Sequence, residues 1–127
     1  MDNDPKRVIW IASSREALRA FPEPVKDAVG YALYLAQIGG KDEAARPLLG
    51  FGGAGVVEVI KDFAGDTYRA VYTVRFAGAV YSLHAFQKKS KRGVATPKQE
   101  IDLVRGRLKQ AEEHYRGWLK EKGHGKD

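Results

Sequence analysis

Two stretches of this chain carry side chains that could do chemistry. One is Tyr68-Arg69-Ala70-Val71-Tyr72, and the other is His84-Ala85-Phe86-Gln87-Lys88-Lys89-Ser90-Lys91-Arg92. Arginine offers a rigid, bidentate fork that matches phosphate oxygens. A lysine crowded by other cations can lose enough basicity to exchange protons. His84 titrates in a range suited to acid–base work, although a lone histidine in an apolar strand is more commonly a satisfied structural residue. Glu58 would act as a base or hold Arg69 in a cross-strand ion pair. Tyr72 offers a face for an unstacked base, or else belongs to the core. The three histidines, His84, His114 and His124, are widely spaced and lack a carboxylate cluster, so no metal site and no cofactor are expected.

These residues need elements to position them. Arg7-Val8-Ile9-Trp10-Ile11 predicts a buried strand. Ser13, with Glu16 three residues on, predicts a capped short helix that ends before Pro22 and Pro24. A second helix is expected from about Glu23, with Val25, Ala28, Val29, Ala32, Leu33 and Ala36 as its apolar stripe and Gly39-Gly40 as its stop. Residues 41–55 read as a mobile loop rich in Gly, because the glycines at 50, 52, 53 and 55 form no phosphate-cradling motif. Three strands follow, Val56–Ile60, Thr67–Phe76 and Ala79–Phe86, joined at Ala64-Gly65-Asp66 and Ala77-Gly78 as an antiparallel meander. Thr96 as cap, Pro97 at the first turn and Gln99 open a last helix, lined by Ile101, Val104, Leu108, Ala111, Tyr115 and Trp118. The expected order is β-α-α-β-β-β-α, a one-domain α+β fold spanning residues 1–127, with about 1–5 and 121–127 dispensable.

Charge placement supports a polyanionic partner. Residues 1–60 hold 7 Lys/Arg against 8 Asp/Glu, whereas residues 61–127 hold 15 against 8, so the basic excess lies wholly in the second half. A one-sided positive field favours nucleic acid, or simply gives a solvated basic surface. The absence of cysteine excludes disulfides and thiolate metal sites. No apolar run approaches the roughly 20 residues of a membrane span, and the acidic, polar start lacks a secretory pattern, so a cytoplasmic protein is expected.

The order of elements resembles that of the RelE superfamily of bacterial toxins, and the residues are similar to its phage-related HigB-like branch. The resemblance runs from about Lys6 to Arg107. It is carried by Val8-Ile9-Trp10 with Ser13-Ser14, Phe21-Pro22, Leu33 with Gln37 and Gly39, Leu49-Gly50, and Val57-Glu58-Val59. The Tyr68-Arg69-x-x-Tyr72 strand, Phe86-Gln87-Lys88-Lys89-Ser90, and Thr96-Pro97 with Glu100-Ile101 complete it.

The resemblance implies the toxin of a type II toxin–antitoxin system. Such a toxin is a metal-independent, ribosome-dependent mRNA endonuclease that cuts in the ribosomal A site, where the RNA 2′-hydroxyl attacks the adjacent phosphate. It implies mRNA, rRNA and a helix-turn-helix (HigA-like) antitoxin as partners, with operator DNA bound only through that antitoxin. It matches Arg69 to a strand arginine on the scissile phosphate. Lys88, Lys89 and Lys91 match basic residues that contact phosphate or act in catalysis, with Glu58 and His84 as further catalytic candidates. Arg75, Lys91, Arg92 and Tyr72 are the expected RNA contacts, with Arg75 sharing the face of Arg69 by strand alternation. Ile60 departs from the family, which often has a cation there. That departure favours the alternative of a catalytically weak nucleic-acid-binding module, beside which stands a phage-derived structural protein on the same scaffold.

Overall fold

The computed structural model describes residues 5–53, 55–88 and 95–124. Strand β1 (Arg7–Trp10) leads into helix α1 (Ser14–Arg19) and helix α2 (Glu23–Gln37). Four strands follow: β2 (Ala45–Pro47), β3 (Val56–Phe63), β4 (Asp66–Thr73) and β5 (Ala79–Lys88). Helix α3 (Lys98–His124) closes the chain. The sheet order is β1-β5-β4-β3-β2. The meander β3-β4-β5 is antiparallel, as expected, and β1 joins its outer edge parallel to β5. The α+β architecture is therefore the one the sequence predicts, with one added strand.

That added strand lies in the segment read as a loop. β2 pairs with β3 over only three positions, and its Pro47, which has no N–H to donate, is tolerated on a sheet edge. The glycine segment that follows is also tied down. Arg105 of α3 lies 4.7 Å over the Phe51 ring and donates to the Gly50 carbonyl at 3.2 Å. The β3–β4 hairpin turns at Ala64-Gly65, both at positive φ (51° and 89°), which suits the tight two-residue turn. Residues 121–124, expected to be dispensable, continue α3.

Two expected helix caps are absent. Ser13 makes no side-chain cap bond, because its hydroxyl accepts from Arg107. Thr96 lies before the helix, since the Pro97 carbonyl accepts the first helical bond from Ile101. The end of α2 behaves as predicted. Gly39 turns left-handed at φ 85°, while Gly39 N–H and Gly40 N–H bond back to Ala36 and Leu35 in a Schellman arrangement.

Each sheet face has its own core. The α1–α2 pair covers Val59, Tyr68, Ala70, Tyr72, Val80 and Ala85 with Phe21 from its connection and Val25, Val29, Ala32, Leu33 and Ala36 from α2. Helix α3 covers Val56, Val71, Tyr81 and Leu83 with Val104, Leu108 and Ala111. Strict alternation along β5 from Ala79 would send His84 toward α2. A β-bulge prevents this: Val71 pairs with His84 while Tyr72 pairs with Ser82, so Leu83 is the extra residue. Leu83 and His84 both stand on the α3 face, and alternation resumes with Ala85 in the α1/α2 core.

Candidate active site

Downstream of the bulge, the register stacks three rows of side chains across the α3 face. Arg46, Glu58, Val71 and His84 are neighbours in the first row; Ile60, Arg69 and Phe86 form the second; Asp62, Thr67 and Lys88 form the third. Successive rows lie about 6–7 Å apart, two residues along a strand. Three candidates from separate parts of the sequence, Arg69, His84 and Lys88, thus share one surface.

Arg69 is 2% exposed. Its Nη1 lies 3.5 Å from Glu58 Oε2 and donates to Thr96 Oγ1 at 3.1 Å, while Thr96 donates to the same Glu58 oxygen at 2.8 Å. Thr96 therefore bridges a long ion pair, and the segment leading into α3 lies against the guanidinium. Glu58, 4% exposed, lies against Arg69 in this pair. A pair this deep survives because each charge has its partner, and removing one member leaves the other stranded.

His84 is 8% exposed and stacks on Phe86 with ring centroids 4.9 Å apart. Its Nε2 lies 2.6 Å from Glu100 Oε1 and its Nδ1 lies 3.5 Å from Arg107 Nη1. Arginine can only donate, so the nitrogen facing it accepts and the proton sits on Nε2, pointing at Glu100. Burial pushes the imidazole below its ordinary pKa; Glu100 opposes this and Arg107 adds to it. A neutral imidazole at neutral pH, coupled to a half-buried carboxylate, is an arrangement through which a proton can move. Arg107 also donates to the Leu83 carbonyl at 2.9 Å and to Ser13 at 3.1 Å, fixing the bulge, α3 and the start of α1 together.

Lys88 ends β5, and its Nζ donates to the Ala95 carbonyl at 3.2 Å. Lys89, Lys91 and Arg92 lie outside the described residues. Arg75 does not share the Arg69 site. Strand β4 ends at Thr73, whose hydroxyl binds the Arg75 N–H and the Gly55 carbonyl, and Arg75 turns to Glu112 at 2.9 Å. Glu112 is about 18 Å along α3 from Glu100. Tyr72 is 2% exposed on the opposite face, where burial first and Asp42 second push its pKa up to about 12. Its ring is core, so the base-stacking role does not fit this position. Lys61 is exposed and pairs with Tyr68, facing away from Arg69 as its parity requires.

Thr96, Glu100 and Arg107 were not among the sequence candidates. Glu100 and Arg107 are two helical turns apart and flank the stripe of Val104, Leu108 and Ala111. Charges bordering an apolar stripe at that spacing were the available signal. Among the described residues, no three His, Asp or Glu side chains gather closely enough to hold a metal ion.

Beside the ion pair opens a cleft of ≈ 370 Å³, lined by Arg46, Pro47, Leu48, Leu49, Glu58, Ile60, Ala95, Thr96 and Ile101. Its walls are mainly apolar, and Glu58 and Thr96 belong both to it and to the Arg69 network.

Residues 16–109 match the model of the family described as phage derived protein Gp49-like. The chain belongs to that family. It is a family of RelE type, in agreement with the resemblance carried by the strand and lysine motifs. The matched span takes in Glu58, Arg69, His84, Lys88, Thr96, Glu100 and Arg107. No curated protein matches. Among solved structures, one chain of the toxin–antitoxin complex RelBE2 from Mycobacterium tuberculosis is similar at 21% identity, over 70% of this chain and 100% of that one, with a TM-score of 0.42.

Proposed function

We propose that this Gp49-like chain is the toxin of a type II toxin–antitoxin pair and cuts mRNA on the ribosome without a metal. The observation that carries the reading is the convergence of Arg69, His84 and Lys88 on one sheet face beside α3. In the reaction, the RNA 2′-oxygen bonds to the neighbouring phosphorus, its proton passes to a base, and the 5′-oxygen leaves with a proton from an acid. His84, kept neutral by burial and linked to Glu100, is the proton carrier. Lys88 and the basic residues after it receive the phosphate and offset the charge that grows on it. Arg69 adds a fixed positive charge beneath the site, held by Glu58 and Thr96. The basic excess of residues 61–127 suits rRNA and mRNA as polyanions, and an antitoxin would act by covering this face.

One observation favours a second reading. Arg69 and His84 are almost fully buried, and both His84 nitrogens have partners. A nucleic-acid-binding module with weak or no cleavage would carry such groups as structural pairs.

Controlled expression in a bacterium separates the two. Wild type is compared with His84→Gln and with Lys88→Ala/Lys89→Ala, reading growth and primer extension on a reporter mRNA. Growth arrest with codon-phased cuts, lost in both folded variants, is the expected result. Normal growth and intact mRNA from folded wild-type protein would leave the binding module as the better account.

A further inference from the structure

We infer that the cleft beside Glu58 is a nucleobase subsite that takes a base bearing an exocyclic amino group, and that it sets which nucleotide is presented next to the cut. The inference rests on the RNA-directed reading above, and its grounds lie in the cleft itself.

Pro47, Leu48, Leu49, Ile60 and Ile101 offer a flat ring an apolar slot. At the slot's polar end stand Glu58 and Thr96. The Thr96 hydroxyl already donates its hydrogen to Glu58 Oε2, and Arg69 approaches that same oxygen. Oε1 of Glu58 accepts nothing among the described residues, so the cleft presents an acceptor without a matching donor. A ligand filling this space must donate a hydrogen bond there, because displacing water from a carboxylate without replacing it is unfavourable. The amino groups of adenine, cytosine and guanine can do so. Uracil's edge N–H lies between two carbonyl oxygens, which would face the carboxylate.

Charge at the mouth agrees with a nucleotide. Arg46 pairs directly opposite Glu58 on the neighbouring strand, is exposed, and lines the cleft, where it can meet a phosphate. Glu58 and Thr96 link the cleft to Arg69, so a base in the slot belongs to a nucleotide whose phosphate lies near the proposed reaction centre. A leucine or phenylalanine from a protein partner would satisfy the walls and leave Oε1 dry and unmatched. The cleft thus favours a base over a peptide side chain.

The test uses the full chain with labelled methyl groups, titrated by NMR with the 5′-monophosphates of adenosine, cytidine, guanosine and uridine. The methyls of Leu48, Leu49, Ile60 and Ile101 should shift with the three amino-bearing nucleotides. Uridine monophosphate should bind about tenfold more weakly, the equivalent of one well-made hydrogen bond. Ile60→Trp, which fills the slot, should abolish the shifts at the remaining methyls for all four. Glu58→Gln, if folded, should lose the discrimination, since its amide can also donate. Equal binding of uridine, no shift at these methyls, or shifts caused by a leucine-rich peptide instead would overturn the subsite. The reading beneath it is judged separately. Cleavage of mRNA without methyl shifts sinks the subsite alone, whereas selective binding without cleavage keeps the subsite and sinks the nuclease.

Discussion

The two faces of the sheet are built on different terms. Against α1 and α2 the sheet presents aliphatic and aromatic side chains, with Phe21 packed edge-on to Tyr68 at 5.0 Å. Against α3 it is divided. The half under Val104, Leu108 and Ala111 is as apolar as the other face, but the half under the start of the helix holds Glu58, Arg69 and His84, all buried. Burying charge is unfavourable unless every group is matched, so a face that keeps it there gives up stability that an apolar filling would supply. The α1/α2 face is organised for the fold, whereas the head of the α3 face is organised around placed charges.

The contrast can be broken most sharply at Glu58. Glu58→Leu strands Arg69 in the interior and should lower stability by about 3–5 kcal/mol. Adding Arg69→Met to that variant should recover most of the loss while reporter mRNA cleavage stays abolished. A double variant as unstable as the single one in urea unfolding would mean that this corner is ordinary core. On the other face, Leu33→Ala should cost about 2–4 kcal/mol through its cavity alone. Any folded fraction should cut mRNA at the wild-type rate, and a slower rate per folded molecule would show the two faces to be coupled.

Smaller effects sharpen the same comparison. Ser13→Ala removes an acceptor from Arg107 and should cost about 1 kcal/mol in unfolding experiments. If Ser13 were instead a helix cap, the loss would persist in an Arg107→Met background, whereas the geometry here makes it vanish. The gentlest signal is a slope with pH. The folded-state pKa of His84 lies below its unfolded value, chiefly through burial, so the unfolded chain takes up the proton first on acidification. Stability is full above the ordinary histidine range near 6.5 and falls as pH drops through the folded pKa. Unfolding midpoints collected across that range should show the decline in wild type and a flatter curve in His84→Gln. Equal slopes would remove His84 from the account.

Much of the scaffold was legible from local chemistry. The proline-led start of α2, its Gly39-Gly40 stop, the Ala64-Gly65 turn and the order of the meander each follow from residues acting on their own neighbourhood. β2 was not, since a three-residue edge strand takes its register from β3 rather than from Arg46-Pro47. The two caps failed because Ser13 and Thr96 found partners far along the chain, in Arg107 and in Glu58 with Arg69. Arg69 and Glu58 were legible as a pair, but nothing local announced that α3 would cover them. Alternation put Arg75 on the face of Arg69, and it does turn to α3, but six residues further along and beyond the end of β4 at Thr73 it meets Glu112 rather than the Arg69 network. The same rule placed Tyr72 opposite Arg69, and its burial there makes it core. His84 reaches α3 together with Leu83 only through the bulge, a feature of pairing rather than of composition.

The parallel match of Arg7–Trp10 with Ala79–Ser82 sets a birth order. As the chain is synthesised, β1 emerges first but has no strand to join until β5 follows, and contacts between such distant segments form late. The row of Arg46, Glu58, Val71 and His84 draws on four strands, and Thr96, Glu100 and Arg107 come after them all. A stalled or prematurely released chain therefore carries the residues without the constellation. A nascent molecule with this topology lacks the assembled row and its partners until its final helix has been made.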